Sequence, residues 1–269
     1  MKSKTVLITG GSSGIGKAIG IYLTTKGYNV YGTTRNIAKY PNFNDFKLVQ
    51  MDVRNAQSIK DCIDEVLTNE VRLDVVINNA GVGITGPLEE TPSEEIVNAF
   101  DTNFSGPLNV IKAVLPIMRK QQKGLIINIT SIAGYMGLPY RGIYSATKGA
   151  LEIITESLRM ETKSFGINIT CLAPGDFATN IASGRYHAPV IKNSPYEKVY
   201  GDTLKAIDKD VDNGGNPIQV AKKVHGIIEA KNPKIHYKVG TFFQKFSIIL
   251  KRVLPDNWYE KLLMNYSSK

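Results

Sequence analysis

Residues 5–25, TVLITGGSSGIGKAIGIYLTT, carry the clearest indication of the fold. It starts with an apolar run that predicts a strand over residues 5–9, and a glycine-rich turn follows at once. Behind the turn, Ile15, Ile19 and Leu23 have the spacing of an amphipathic helix. Strand, tight turn and helix in this order are the building unit of a parallel α/β sheet.

Further apolar runs recur along the chain, with stretches of helical composition between them. They predict strands over residues 29–34, 46–51, 74–78, 125–130, 168–173 and 235–239. Several runs are continuously apolar, which is typical of strands buried on both faces of a parallel sheet. The sequence therefore predicts an α/β fold, a single Rossmann-type domain whose doubly wound parallel sheet has about seven strands and helices on both faces.

Three segments organise the chain. No linker rich in Pro, Gly or Ser divides residues 1–240, so we expect one domain there. Within it, residues 176–217 lack sustained periodicity and predict a lid or binding loop. Residues 241–269 predict a basic amphipathic extension, and its apolar positions are Phe242, Phe246, Ile249, Leu250 and Val253. Such a helix is compatible with peripheral membrane contact, although packing on the body or on another subunit gives this pattern more often.

Composition narrows the class of protein. The chain has 269 residues, 42% of them hydrophobic and 21% charged, which is typical of a globular protein. Its net charge is +9, but no nucleic-acid motif accompanies the basic residues, so we expect no nucleic-acid partner. Cys62 and Cys171 are too few for a disulfide framework, and no secretory signal pattern precedes the first strand, so we expect a cytoplasmic protein. The three histidines are widely spaced, which predicts no metal site.

The glycine turn predicts a phosphate-binding site. Glycines let the backbone approach a pyrophosphate, whose charge is met by free N–H groups and the positive end of the helix dipole. The residues concerned are Gly10, Ser12, Ser13, Gly14, Ile15 and Gly16. Glycines near a helix start also serve close packing, so the turn alone is weak evidence for a dinucleotide.

The end of the second strand distinguishes the two nicotinamide dinucleotides. Binders of NAD usually place an acidic residue there for the ribose 2′-hydroxyl, whereas this chain has Thr34 and Arg35. A guanidinium can bind a 2′-phosphate through several donors. NADP(H) is therefore favoured over NAD(H), with a solvated surface role for Arg35 as the alternative.

Acid/base chemistry is indicated by Tyr144 and Lys148, which lie at i and i+4 in a helical segment and so share one face. An ammonium beside a phenol favours the phenolate and makes the tyrosine a usable proton donor or acceptor. Ser131 follows the strand over residues 125–130, where strand ends line the ligand crevice of such sheets. Its hydroxyl can polarise a carbonyl oxygen.

Together these residues resemble the short-chain dehydrogenase/reductase family over about residues 4–240. The matching motifs are Thr9 to Gly16, Asp52-Val53, Asn78-Asn79-Ala80-Gly81, Asn103, Ser131, Tyr144-Ser145-Ala146-Thr147-Lys148, and Pro174-Gly175 followed by Thr179. The resemblance implies that Tyr144 is the general acid/base, that Lys148 assists it and holds the nicotinamide ribose, and that Ser131 orients the reacting oxygen. It also implies that Asn103 supports a water-mediated proton relay to Lys148.

The same resemblance implies further contacts. Asp52 and Val53 would meet the adenine, and Pro174, Gly175 and Thr179 the nicotinamide carboxamide. The ribose side would be lined by Asn79, Ala80 and Gly81. One departure is Ser13, because many NADP(H)-using members have a basic residue there; Arg35 must then provide most of the phosphate discrimination. Candidate substrate contacts are Ser131, Met136, Tyr140 and Phe177.

The sequence thus predicts an oxidoreductase that transfers hydride between NADP(H) and a carbonyl or secondary alcohol of a small, hydrophobic substrate. Similarity to members resembling hydroxysteroid, retinol and acyl-dihydroxyacetone-phosphate reductases suggests lipid-like substrates. A homodimer or homotetramer is expected by analogy with the family. Two alternatives remain, a non-catalytic NADP(H)-binding regulator on the same fold and an NAD(H)-dependent dehydrogenase. The complete acid/base set favours an enzyme.

Overall fold

A computed structural model describes residues 3–177, 185–212 and 214–267 of the chain, and its centre is a parallel sheet. The strands are β1 Thr5–Ile8, β2 Asn29–Thr34, β3 Lys47–Gln50, β4 Val75–Asn78, β5 Ile84–Thr85, β6 Gly124–Ile129, β7 Ile167–Pro174, β8 Tyr186–His187 and β9 His236–Val239. In the described chain, seven of them form one sheet in the order β3-β2-β1-β4-β6-β7-β9. β5 and β8 pair separately beside it. The predicted fold class is confirmed.

Helices cover both faces of the sheet. They are α1 Gly14–Thr25, α2 Ala56–Asn69, α3 Ser93–Phe100, α4 Gly106–Lys120, α5 Gly142–Thr162, α6 Glu197–Asp212, α7 Ile218–Glu229, α8 Phe242–Val253 and α9 Asp256–Ser267. The apolar sides of α1 and α7 pack on one face, where Ile19 and Val224 are fully buried. Those of α2 and α4 pack on the other, where Val66 and Val114 are fully buried. The continuous apolar runs of the strands follow from this burial on both sides.

The order of the strands locates the ligand crevice. Moving outward from β1, the chain passes to β2 and β3 on one side and to β4 on the other. In open parallel sheets, ligands bind at such a switch point, outside the carboxyl ends of the strands. The Thr9 hydroxyl ties the two sides together, because it accepts hydrogen bonds from the backbone N–H groups of Asn79 and Ala80, both at 2.9 Å.

The region 176–217 contains more regular structure than its pattern indicated. Its second half includes helix α6, which the scattered polar and glycine residues concealed. The helix is anchored by Tyr200, whose side chain is fully buried and whose hydroxyl donates to the carbonyl oxygens of Thr85 and Ala188. Helix α6 is therefore fixed to β5 and to the residue that follows β8.

The C-terminal extension forms α8 and α9, and α8 has apolar residues on its outward side as well as on the side that faces the body. Ile248 is buried and Leu250 packs partly against the body, as a core-facing stripe requires. The other four predicted apolar positions face outward, namely Phe242, Phe246, Ile249 and Val253. Among the described residues, no helix is both long enough and apolar enough to cross a membrane.

Candidate active site

The glycine turn between β1 and α1 has the backbone geometry that a bound phosphate requires. Gly10 has φ +65° and Gly14 has φ +53°, a left-handed region that favours glycine. A Cβ on Gly16 would lie 2.3 Å from the Gly10 carbonyl oxygen, so the turn closes only around glycine there. Ser13 occupies the N-cap of α1 but makes no side-chain capping bond, and the first turn contains no acidic residue. The N–H groups at this helix end remain available to an anion.

A cavity runs from this turn toward the end of β2, and we call it the β1–α1 cavity. The structure brings most of the predicted cofactor residues to its wall, namely Gly10, Ser12, Ser13, Gly14, Ile15, Thr34, Arg35, Asp52, Val53, Asn79, Ala80 and Gly81. It also adds Lys39 and Arg54, which the sequence analysis did not single out. Among the described residues, neither Arg35 nor Lys39 takes part in an ion pair.

Asp52 and Arg54 form an ion pair at the wall of this cavity. The Arg54 Nη2 and Nε atoms lie 2.8 and 3.1 Å from the two carboxylate oxygens of Asp52. Hydrogen bonding to Arg54 is the largest effect on Asp52 and holds the pKa of its carboxyl below the ordinary value. The carboxylate thus stays ionised and is neutralised locally, so the excess positive charge of the cavity lies on Arg35 and Lys39.

A second cavity adjoins the first and shares Ile15, Asn79, Gly81 and Val82 with it. Ser131, Tyr144 and Lys148 all line it, and we call it the Tyr144 cavity. Ser131 comes from the end of β6, whereas Tyr144 and Lys148 come from the first turns of α5. Pro174, Gly175 and Phe177 complete the wall from the end of β7. Residues from three separate chain segments therefore meet here, as the motifs predicted.

Lys148 is buried and its amino group is hydrogen-bonded to the backbone. The residue is 95% buried, and its Nζ donates to the Ile129 carbonyl oxygen at 3.1 Å. The same Nζ lies 5.9 Å from the centre of the Tyr144 ring, and the Arg141 guanidinium lies 5.7 Å from it. Two cationic side chains thus lie close to the Tyr144 ring.

Asn103 lies in a π-helical turn between α3 and α4 that spans Asp101–Ser105. It is fully buried, and its Oδ1 accepts from Val82 N–H at 2.8 Å. Its Nδ2 donates to the Val82 carbonyl oxygen and to Thr147 Oγ1 at 2.9 and 3.2 Å. The side chain therefore joins the segment after β4 to α5, and π-helical turns recur at functional sites because they place a side chain out of regular register.

Two predicted substrate contacts lie away from the cavity. Met136 is buried under the C-terminal helices, where its sulfur accepts from the Tyr259 hydroxyl at 3.1 Å. Tyr140 turns aside at φ +59° and packs its ring 5.3 Å from that of Tyr200. Phe177 does line the cavity, and Thr179 is outside the described residues.

The sequence analysis missed several residues of the Tyr144 cavity. They are Arg141, Asp176 and Arg185, all charged. Arg141 lies only three positions before Tyr144 and could have been inferred from helical spacing. Arg185 has no such signal, because it reaches the wall through the pairing of β8 with β5, which brings it over Gly83.

A buried network supports the cavity from behind. Glu152 is 95% buried and accepts hydrogen bonds from Thr130 Oγ1 and, at 2.8 Å, from the Tyr135 hydroxyl. His236 Nδ1 lies 2.7 Å from the same carboxylate, and its Nε2 lies 2.9 Å from Glu156. The fold brings His236 close to the Glu152 carboxylate and to Cys171, although these three residues are far apart in the sequence. The network fixes the strand end that carries Ser131 to the helix that carries Tyr144.

Comparison with known proteins identifies the class. Residues 4–189 match the family described as short chain dehydrogenase. A 3-ketodihydrosphingosine reductase from Bacteroides thetaiotaomicron is 39% identical over 264 residues, which cover 98% of this chain and 97% of that protein. A short-chain dehydrogenase from Streptomyces avermitilis superposes with a TM-score of 0.81 at 29% identity, covering 97% of each chain. The structure of ElxO with NADP bound gives 0.72 at 28% identity, covering 88% of this chain and 97% of that one.

The chain belongs to the short-chain dehydrogenase family. It is an oxidoreductase that uses a nicotinamide cofactor. The residues present fit such a dinucleotide, because the glycines allow the tight turn between β1 and α1 and because the N–H groups at the start of α1 are not capped by a side chain.

Proposed function

We propose that the protein is an NADP(H)-dependent reductase that converts a ketone of a hydrophobic substrate to a secondary alcohol. The observation that carries the proposal is the meeting of Ser131, Tyr144 and Lys148 on one cavity that opens into the β1–α1 cavity. When bound, the nicotinamide supplies the hydride that the carbonyl carbon receives. The reaction consumes one proton and yields the alcohol and the oxidised cofactor.

The hydrogen bonds of the site suggest how the protein handles the reacting oxygen. Ser131 Oγ accepts from Ala133 N–H at 3.1 Å, so its own proton is left to donate to a substrate oxygen. Tyr144 protonates that oxygen as negative charge develops on it. Lys148 Nζ donates one of its three protons to the Ile129 carbonyl oxygen. The other two remain for the ribose and for proton exchange with the Tyr144 hydroxyl. Asn103 is a positioning residue in this scheme, because both its amide protons bond to the protein.

The choice of NADP(H) rests on charge at the end of β2. Arg35 is exposed at the wall of the β1–α1 cavity, and Lys39 lies on the same wall. Thr34 is buried and neutral, so no carboxylate there repels a 2′-phosphate. A phosphate bound by a guanidinium gains charge-assisted hydrogen bonds that the hydroxyl of NAD(H) cannot make.

Arg35→Ala is expected to raise the Kd for NADPH by roughly 10- to 100-fold, the equivalent of one or two lost charge-assisted hydrogen bonds, while the Kd for NADH stays nearly constant. Nicotinamide fluorescence titration measures both constants. Lys60→Ala on α2 is the control, because it removes the same charge from an exposed ion pair with Asp64. Tighter binding of NADH than of NADPH by the unchanged enzyme, or equal losses for both in Arg35→Ala, would contradict the assignment.

For the substrate, we propose a long-chain ketone of the type named by the similar Bacteroides reductase. That protein is alike over nearly the full length of both chains, so the similarity includes all the segments that line the Tyr144 cavity. Ile84, Ile129 and Phe177 give the Tyr144 cavity an apolar wall next to its polar groups. This combination suits an alkyl chain with a ketone near one end.

The test is NADPH oxidation, followed at the nicotinamide absorbance, with 3-ketodihydrosphingosine and with a water-soluble short-chain ketone. The long-chain ketone should have a kcat/KM at least about tenfold higher, because one or two buried methylenes already supply that factor. Equal kcat/KM for the two ketones would reject the hydrophobic substrate. No oxidation with any ketone, despite tight NADPH binding, would instead favour the non-catalytic regulator.

We also propose that the enzyme works in the cytoplasm as a homodimer or homotetramer. Its two cysteines are buried free thiols, and burial raises the pKa of Cys62 to about 12, so this group has little thiolate to oxidise. Exposed apolar residues on α5, Ile153 and Met160, offer a surface for self-association.

A further inference from the structure

Helix α8 is fixed to the body by one side only. On that side Ile248 is buried, and Gln244 Nε2 donates to Asp176 Oδ2 at 2.9 Å. Gln244 also closes the N-terminal capping box of the helix with Thr241. Because Asp176 and the adjacent Gly175 line the Tyr144 cavity, α8 directly supports one wall of the active site.

The opposite side of α8 carries an unpartnered apolar stripe. Phe242, Phe246, Ile249 and Val253 follow one another at i, i+4, i+7 and i+11, and their side chains are 69%, 38%, 55% and 73% exposed. The rings of Phe242 and Phe246 stack with centres 5.6 Å apart. Phe243 beside them is 79% exposed. Contiguous exposed apolar surface of this kind marks an interaction site in soluble proteins.

Charge beside the stripe indicates the kind of partner. Helix α8 contains Lys245, Lys251 and Arg252 and no acidic residue, and all three cations are exposed. No acidic side chain in the described chain forms an ion pair with them. Residues 231–269 hold eight Lys or Arg and only two acidic residues, which accounts for most of the chain's net charge of +9. A second copy placed on this helix would face it with the same positive charge, whereas an anionic surface would neutralise it.

Helix α9 continues the pattern. Trp258 and Leu262 lie at i and i+4, and they are 66% and 40% exposed. Tyr259 on the same helix is buried against the body, so α9 also presents one side inward and one outward. Tryptophan and cationic side chains are the residues that anchor a helix at the headgroup level of a bilayer.

We propose that α8, together with Trp258 and Leu262, is a docking surface for an anionic lipid bilayer. The aromatic and aliphatic stripe enters the headgroup region while Lys245 and Arg252, which border the stripe on the helix surface, bind lipid phosphates. Contact is peripheral and reversible. It holds the wall of the Tyr144 cavity formed by Gly175 and Asp176 one helix diameter, roughly 10 Å, from the membrane surface, so a substrate dissolved in lipid has a short path to the site.

The test is co-sedimentation of the full chain with vesicles of phosphatidylcholine alone and of phosphatidylcholine with about one-third phosphatidylglycerol. Binding to the anionic vesicles is expected, with weaker binding to neutral ones and a decline as salt screens the cations. Phe242→Ser/Phe246→Ser should partition at least about tenfold less, since two aromatic side chains no longer leave water. Val71→Ser/Leu88→Ser, which removes two apolar side chains that are 83% and 71% exposed elsewhere, is the matched control and should bind as the unchanged protein does.

Three outcomes would overturn the proposal. They are absence of binding to anionic vesicles, equal loss of binding in the control, and retained vesicle binding in Phe242→Ser/Phe246→Ser. Light scattering adds a further criterion, because conversion of an oligomer to monomers by Phe242→Ser/Phe246→Ser would assign the stripe to self-association instead. Binding of NADPH by this variant shows that it is folded. Since the readout is sedimentation, failure of the proposed substrate would leave the result for the docking surface intact.

Discussion

Tyr144→Phe is expected to lower kcat by about 10³-fold or more while the Kd for NADPH changes little, because removing a general acid/base typically costs 10²- to 10⁴-fold. The substitution removes only the hydroxyl, and the ring keeps its contacts with Lys148 and Arg141. Rates of NADPH oxidation and fluorescence titration of the cofactor measure the two effects separately.

The matched control is Tyr140→Phe, four residues earlier. That ring packs against Tyr200 outside the cavity, so loss of its hydroxyl should leave kcat within about twofold of the unchanged enzyme. A Tyr144→Phe variant that keeps more than a few per cent of the rate would mean that another group supplies the proton. Lys148, whose ammonium can transfer a proton and which lines the same cavity, would then become the candidate.

Prediction from sequence succeeded where a local pattern fixes the geometry. The strand over residues 5–9 and the turn behind it are specified by apolar residues and glycines that have few other uses, and Tyr144 and Lys148 share a face through helical spacing alone. Ser131 joins them because strand ends of a parallel sheet meet at one edge. The same local patterns indicated most of the predicted cofactor residues that line the β1–α1 cavity.

The sequence carried no signal where contacts depend on elements far apart in the chain. Met136 follows Ser131 closely, yet α8 and α9 cover it, and its role as a substrate contact stays a prediction. Arg185 reaches the cavity only because β8 pairs with β5. Glycine and asparagine residues obscured the helical pattern of α6 in the sequence. In the structure, the buried side chain of Tyr200 packs this helix onto the body.

The amphipathic pattern of the tail shows a subtler limit. The apolar positions of α8 were identified correctly, but periodicity reports that a face is apolar and not what covers it. The structure divides these positions, with Leu250 turned partly to the body and Phe242, Phe246, Ile249 and Val253 turned to solvent. An apolar stripe that faces away from the core is a functional signal, and only the tertiary structure distinguishes it from a core stripe.

The second large effect is expected for Lys148→Met. Methionine fits a long buried side chain, so packing is largely kept, whereas the charge and the hydrogen bond to the Ile129 carbonyl oxygen are lost. We expect kcat to fall by about 10³-fold, because in the proposed mechanism this cation stabilises charge on the Tyr144 oxygen. The Kd for NADPH should also rise, by about tenfold, since one charge-assisted hydrogen bond to the ribose is removed. Lys163→Met, at an exposed position after α5, is the control for loss of a lysine.

The effect on cofactor binding separates the two variants, because Tyr144→Phe should retain NADPH affinity and Lys148→Met should not. The double variant Tyr144→Phe/Lys148→Met completes the argument. If the lysine acts on the chemistry through the tyrosine, its removal costs little further kcat once the hydroxyl is absent, so the two losses are far from additive. Additive losses, near 10⁶-fold for two losses of about 10³-fold each, would show that the residues act independently. In that case Lys148 would serve the cofactor alone, and charge at the Tyr144 ring would depend on Arg141.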